Sequence, residues 1–168
     1  MPTMAKDVEA ALNSQINAEF TSSFLYLSLA AYYHSLNLDG FATYFRVQAD
    51  DERTHAMQLF DLLDARAGRI ALSAIAAPPV EWASPLAGIE DVVKWESSNT
   101  DRINNIIRLS HEKGDFATAL SLQQLVTEQV RDEAVAHELL EKMKLLEKAP
   151  GGLFLMDREL RMRAQRGA

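Results

Sequence analysis

Glu52 and His55 stand three residues apart in the segment Asp51-Glu52-Arg53-Thr54-His55-Ala56, inside a stretch whose apolar residues recur at helical spacing. At that offset both side chains leave one helix face, and a carboxylate beside an imidazole suits iron, manganese or zinc. Their stripe reads Phe41, Phe45, Gln48, Glu52, His55, Leu59, Leu62. Three further stripes are interrupted in the same way. Glu19 falls within Leu12, Ile16, Ser23 and Tyr26, and Glu96 within Ile89, Val92, Asn99, Ile103 and Ile106. Asp132 falls within Leu122, Leu125, Gln129, Ala136, Leu140 and Met143. A single Glu on an amphipathic helix is commonly a rim residue with its head in water, and a lone Glu-x-x-His is a weak signal. Four mid-helix acids on inward faces are another matter. Unpaired in one core they would be prohibitively costly, whereas two divalent cations would supply the missing charge.

Four long elements must hold these groups. Periodicity predicts a first helix from about Lys6 to His34 and a second to about Ala67, with Asp39 as its N-cap. The stretch from Gly68 to Ser84, carrying Pro78-Pro79, is too long for a tight turn and reads as a crossover along the bundle. A third helix is predicted from Pro85-Leu86 to just before Gly114. A fourth, capped by Asp115, should run to about Lys148. After Pro150-Gly151-Gly152 a short tail helix is expected from Leu153 to about Met162. The fold class is therefore all-α, a four-helix bundle, expected as one domain over 1–168 with the bundle at about 6–148.

Composition removes several classes. The 17 basic and 24 acidic residues give a formal charge of −7, so nucleic acid is not an expected partner, and cations suit the surface better. With no cysteine there is neither a disulfide scaffold nor a thiolate metal site. The N-terminus lacks a basic region followed by an apolar run, and no apolar stretch reaches bilayer-spanning length. No membrane partner is expected, and a cytoplasmic location is. His34 and His111 sit near helix C-termini, where imidazole favours the dipole. His137, four after Glu133, reads as part of a solvated face, and Trp82 and Trp95 as packing groups.

These residues resemble bacterial-type non-haem ferritins along nearly the whole chain. Asn17-Ala18-Glu19-Phe20-Thr21-Ser22-Ser23 is similar to the family's first-helix metal Glu and its surroundings, and Asp51–Ala56 to its acidic Glu-x-x-His. Lys94-Trp95-Glu96 resembles the third-helix Glu, and Leu122–Gln129 the fourth-helix segment ending in Glu-Gln. Gly152–Leu160 looks like the short fifth helix.

The resemblance implies that Glu19, Glu52 and His55 hold one iron, while Glu52, Glu96 and Asp132 hold the other. Gln129 would be a ligand or lie just beyond one, and Tyr26 would match a family tyrosine that donates an electron. Asp51 and Glu128 would belong to a third iron position found in some members. Arg131 stands where such members often carry another Glu, so that third site is expected to be weak or absent. Arg53 replaces the Met that holds haem in bacterioferritins, and the second Glu-x-x-His of that group is missing, so haem is not expected. The implied activity is ferroxidase: Fe(II) oxidation by O2 or H2O2, with Fe(III) mineral stored in a homo-oligomeric cage, a 24-mer. Two rivals remain open from the residues alone: a storage cage without a competent oxidising centre, and a small di-iron oxidoreductase.

Overall fold

The structure, a computed structural model, describes residues 4–146 and 148–166. Among the described residues are six helices: α1 Lys6–Ser35, α2 Asp39–Ala65, α3 Pro85–Glu112, α4 Phe116–Ser121, α5 Gln123–Leu146 and α6 Gly152–Gln165. α1 and α2 form one antiparallel hairpin, α3 and α4–α5 the other, and residues 66–84 cross over between them. The all-helical bundle expected from periodicity is present.

Local chemistry explains most boundaries. The Ser84 side chain accepts a hydrogen bond from Ala87 N (3.1 Å), with Pro85 in the first turn. Asp115 caps α4 through Thr118 N (3.1 Å). The crossover is pinned along α1: Asn13 donates to Arg69 O (2.9 Å) and accepts from Ala71 N (2.7 Å), and Tyr32 donates to Trp82 O (3.2 Å).

Three details correct the sequence expectation. Asp39 is not the N-cap of α2; Leu38 is, and the Asp39 carboxylate instead meets His34 Nδ1 at 2.8 Å. α2 stops at Ala65, because Ala67 turns into positive φ (54°). The fourth helix is two helices meeting at Leu122, whose amide is shared between the Thr118 and Leu120 carbonyls. That residue keeps helical dihedrals (φ −86°, ψ −2°), so the axis loosens there without ending. The predicted end of the fourth helix runs through Glu147, which lies outside the described residues; α5 is described to Leu146.

Two apolar clusters divide the interior. One gathers Leu25, Tyr26, Tyr33, Phe41, Phe45 and Met143; the other gathers Val8, Leu12, Ile16, Leu59, Ile103 and Leu125. On every long helix the residues between these clusters are polar and buried: Gln15, Glu19, Ser22 and Ser23, then Glu52 and His55, then Glu96 and Asn99, then Gln129. The bundle is thus an apolar core interrupted at one level by a polar layer. α6 packs on α2, where Asp157 accepts from Gly40 N (2.6 Å) and Phe41 N (3.1 Å).

Candidate metal centre

α1, α2 and α3 each deliver one buried acid to the polar layer, whereas α5 delivers Gln129 and leaves Asp132 only partly buried at the edge of an open hollow. Glu19 and Glu52 come from the antiparallel α1–α2 pair, and each offers an oxygen to a group completed by His55, with all three ligand atoms within 4.8 Å of one another. His55 Nδ1 lies 3.7 Å from Glu52 Oε2, on the side facing the layer. Glu96 enters from α3. The Tyr26 hydroxyl donates to its Oε1, and Gln129 Nε2 donates to its Oε2 (2.8 Å) and to its backbone carbonyl (3.1 Å).

Buried amides bind this layer together: Asn99 and Gln129 from the inward stripes, and Gln15, which the stripes did not include. Gln15 Nε2 donates to Glu19 Oε1 (2.7 Å) and Asn99 Oδ1 (2.5 Å). Asn99 Nδ2 donates to Glu19 Oε2 (3.3 Å) and Gln129 Oε1 (2.9 Å). Gln129 is therefore fully engaged in orienting Glu96 and meeting Asn99. The available signal was spacing: Gln15 is four before Glu19, and Asn99 three after Glu96, on the same faces.

The electrostatics describe a site built for positive charge. Burial pushes the Glu52 carboxyl up to about 8, and the neighbouring Glu96, Asp132 and Asp51 push the same way. Burial, then the Glu52 charge, holds Glu19 well above the usual carboxylate range, and burial raises Glu96. Asp132, only half-buried, rises to about 6 for the same first reason. Glu52 Oε2 is buried without a hydrogen-bond partner. A carboxylate oxygen left so is costly unless a proton or a cation occupies its lone pairs. The donor set, oxygens with one imidazole and no sulfur, fits iron.

The open hollow, of about 240 Å³, adjoins Glu52 and His55 and is lined also by Gln48, Asp51, Glu128, Arg131 and Asp132. Asp51 is exposed there, and its nearest described partner is Gln48 at 3.5 Å. Glu128 turns inward, with Oε2 3.2 Å from His55 Nε2. Glu133 faces elsewhere, accepting from Ser97 (2.9 Å) and Thr100 (2.7 Å).

Comparison with known proteins agrees with this geometry. The family model described as the ferritin-like domain matches residues 9–146. A bacterial non-heme ferritin of Staphylococcus epidermidis is 31% identical over 161 residues, 96% of this chain and 97% of that one. A probable bacterial non-heme ferritin-like protein of Haemophilus influenzae is 33% identical over 157 residues, covering 94% and 95%. Among solved structures, the open-pore ferritin of the archaeon Archaeoglobus fulgidus superposes with a TM-score of 0.93 at 42% identity, covering 96% of this chain and 98% of that one. With its fold, its buried carboxylate layer and its relatives in agreement, the chain belongs to the ferritin family.

Proposed function

We propose that this protein stores iron and oxidises it on the way in, taking Fe(II) in pairs at the layer formed by Glu19, Glu52, His55, Glu96 and Asp132. Membership of the ferritin family makes iron the cargo. The observation that carries the finer reading is the partnerless Glu52 Oε2, buried among raised carboxyls and beside an imidazole. Iron here is substrate. Glu19, Glu52 and His55 receive one Fe(II); Glu52, shared, with Glu96 and Asp132 receives the second. Holding two reductants side by side lets O2 take two electrons in one encounter: two Fe(II) become Fe(III) and O2, with two protons, becomes H2O2. The protons that leave the carboxyls as the metals bind are released beside the reacting oxygen. Hard anionic oxygens then favour Fe(III) over Fe(II).

The residues around the ligands have separable duties. Gln15 and Asn99 fix Glu19, and Gln129 fixes Glu96, so the ligand oxygens are aimed before metal arrives. Tyr26, fully buried with its hydroxyl on Glu96, is placed to supply a further electron. The product moves to the interior of a homo-oligomeric cage, proposed as a 24-mer. Exposed apolar groups on α1 and the crossover, such as Phe24, Leu27, Leu72 and Val80, are available for contacts between copies. No helix among the described residues is long and apolar enough to cross a membrane; a cytoplasmic cage is the proposed setting.

Size-exclusion mass followed by Fe(II) addition in air tests both parts. A large assembly whose absorbance rises rapidly with Fe(II), and far more slowly after Glu52→Ala, is expected. A stable monomer or dimer would remove the cage, and a rate unaffected by the substitution would remove the centre.

A further inference from the structure

The structure assigns Glu128 to positioning His55, the imidazole of the metal centre, instead of to a metal of its own. The assignment rests on the metal-centre reading above and extends it. His55 has two ring nitrogens with opposite surroundings. Nδ1 faces the buried Glu52, and Nε2 faces Glu128 Oε2 at 3.2 Å. A nitrogen that ligates a metal must present a lone pair, so the hydrogen must sit on the other one. Glu128 Oε2, 3.2 Å from Nε2, is the carboxylate oxygen within reach of that hydrogen. It thereby fixes which nitrogen faces the layer and how the ring is turned, and a carboxylate acceptor makes the imidazole a better donor.

The rest of Glu128's environment supports a fixed role. Its second oxygen, Oε1, accepts from Gln124 Nε2 (2.9 Å), one helical turn earlier on α5. Oε1 thus holds the carboxylate in place and leaves Oε2 beside the ring nitrogen. The side chain is 30% exposed while that of His55 is 10% exposed, which places Glu128 at the rim between ring and hollow. Asp51, the companion that a third metal would need, is exposed and held only by a long 3.5 Å bond from Gln48. Arg131 lines the same hollow and brings a fixed positive charge to it.

Glu128→Gln and Glu128→Ala separate this role from its rivals in the intact assembly. Gln keeps an oxygen that can accept from Nε2, since Gln124 can reverse its own amide; Ala keeps nothing. The probe is cobalt(II), whose visible spectrum reports its ligands without oxidation, titrated anaerobically into wild type, both variants and Glu52→Ala. Glu128→Ala should weaken the first equivalent about 10–100-fold, and Glu128→Gln should restore it close to wild type. Unchanged affinity in Glu128→Ala would overturn the assignment, as would loss of a third equivalent alone with the first two intact. So would a Gln variant as weak as the Ala variant, which would make the charge, and not the hydrogen bond, the active feature. The metal-centre reading fails by a different signature: wild type and Glu52→Ala taking up cobalt alike.

Discussion

Glu52→Gln should make the metal-free protein more stable at pH 8 while changing it little near pH 5. In the folded chain burial raises the Glu52 carboxyl from 4.5 to about 8. A carboxyl whose folded value is raised stabilises the fold fully below its unfolded value, and that contribution is lost as pH rises toward the folded one. For Glu52 the window runs from about pH 4.5 to about pH 8. Taken alone, a shift of that size corresponds to about 5 kcal/mol at ~1.4 kcal/mol per unit. Glu19 and Glu96 can hold protons in its place, so about half is the reasonable expectation, roughly 2–3 kcal/mol per subunit. For a chain of this length that is about 4–12 °C in Tm. The amide of Gln cannot ionise, so the variant should keep what wild type loses. Calorimetry of both proteins in chelator at pH 5, 6.5 and 8 measures the difference, in which assembly contributions largely cancel. Adding cobalt(II) at pH 8 should reverse the order, because wild type alone gains the shared ligand. A variant less stable than wild type at pH 8 without metal would refute the electrostatic reasoning.

Three other outcomes follow from the same geometry. Glu52→Ala should abolish rapid Fe(II) oxidation, whereas Glu133→Ala, which removes only a partner of Ser97 and Thr100, should largely preserve it in stopped-flow absorbance; equal losses would mean the ligand assignment is wrong. Gly40→Ala puts a methyl group into the Asp157 carbonyl oxygen, so hydrogen exchange across Gly152–Gln165 should rise markedly as α6 lifts from α2, while α1 and α3 stay protected. Arg131→Glu should add a third iron position by exchanging the hollow's cation for a carboxylate, read as an additional anomalous peak in iron-soaked crystals; a third strong peak already present in wild type would remove the basis for this prediction.

Much of the architecture was legible because long helices advertise themselves by period, and their caps by residue type. Ser84, Pro85 and Asp115 mark boundaries through purely local bonds. The buried acids Glu19, Glu52 and Glu96 were legible for the opposite reason: each breaks an otherwise apolar face, and charge on such a face needs a cause. What escaped lies in contacts between elements. Gln15 and Asn99 are ordinary helix-surface residue types, and only the meeting of α1 with α3, 84 positions apart, reveals that they share a buried network. The loosened turn at Leu122 carries neither Gly nor Pro. The Asp157 contact with the start of α2 spans 117 positions. Glu128 was read from family resemblance as a metal ligand. Its tie to His55 is a matter of side-chain direction across α2 and α5, which spacing along one helix cannot supply.

Anomalous diffraction from crystals soaked in Fe(II) under air tests the proposed centre most directly. Two strong iron peaks per subunit are predicted, both within bonding distance of Glu52, one also held by Glu19 and His55 and the other by Glu96. A single peak, or iron held away from Glu52, would contradict it.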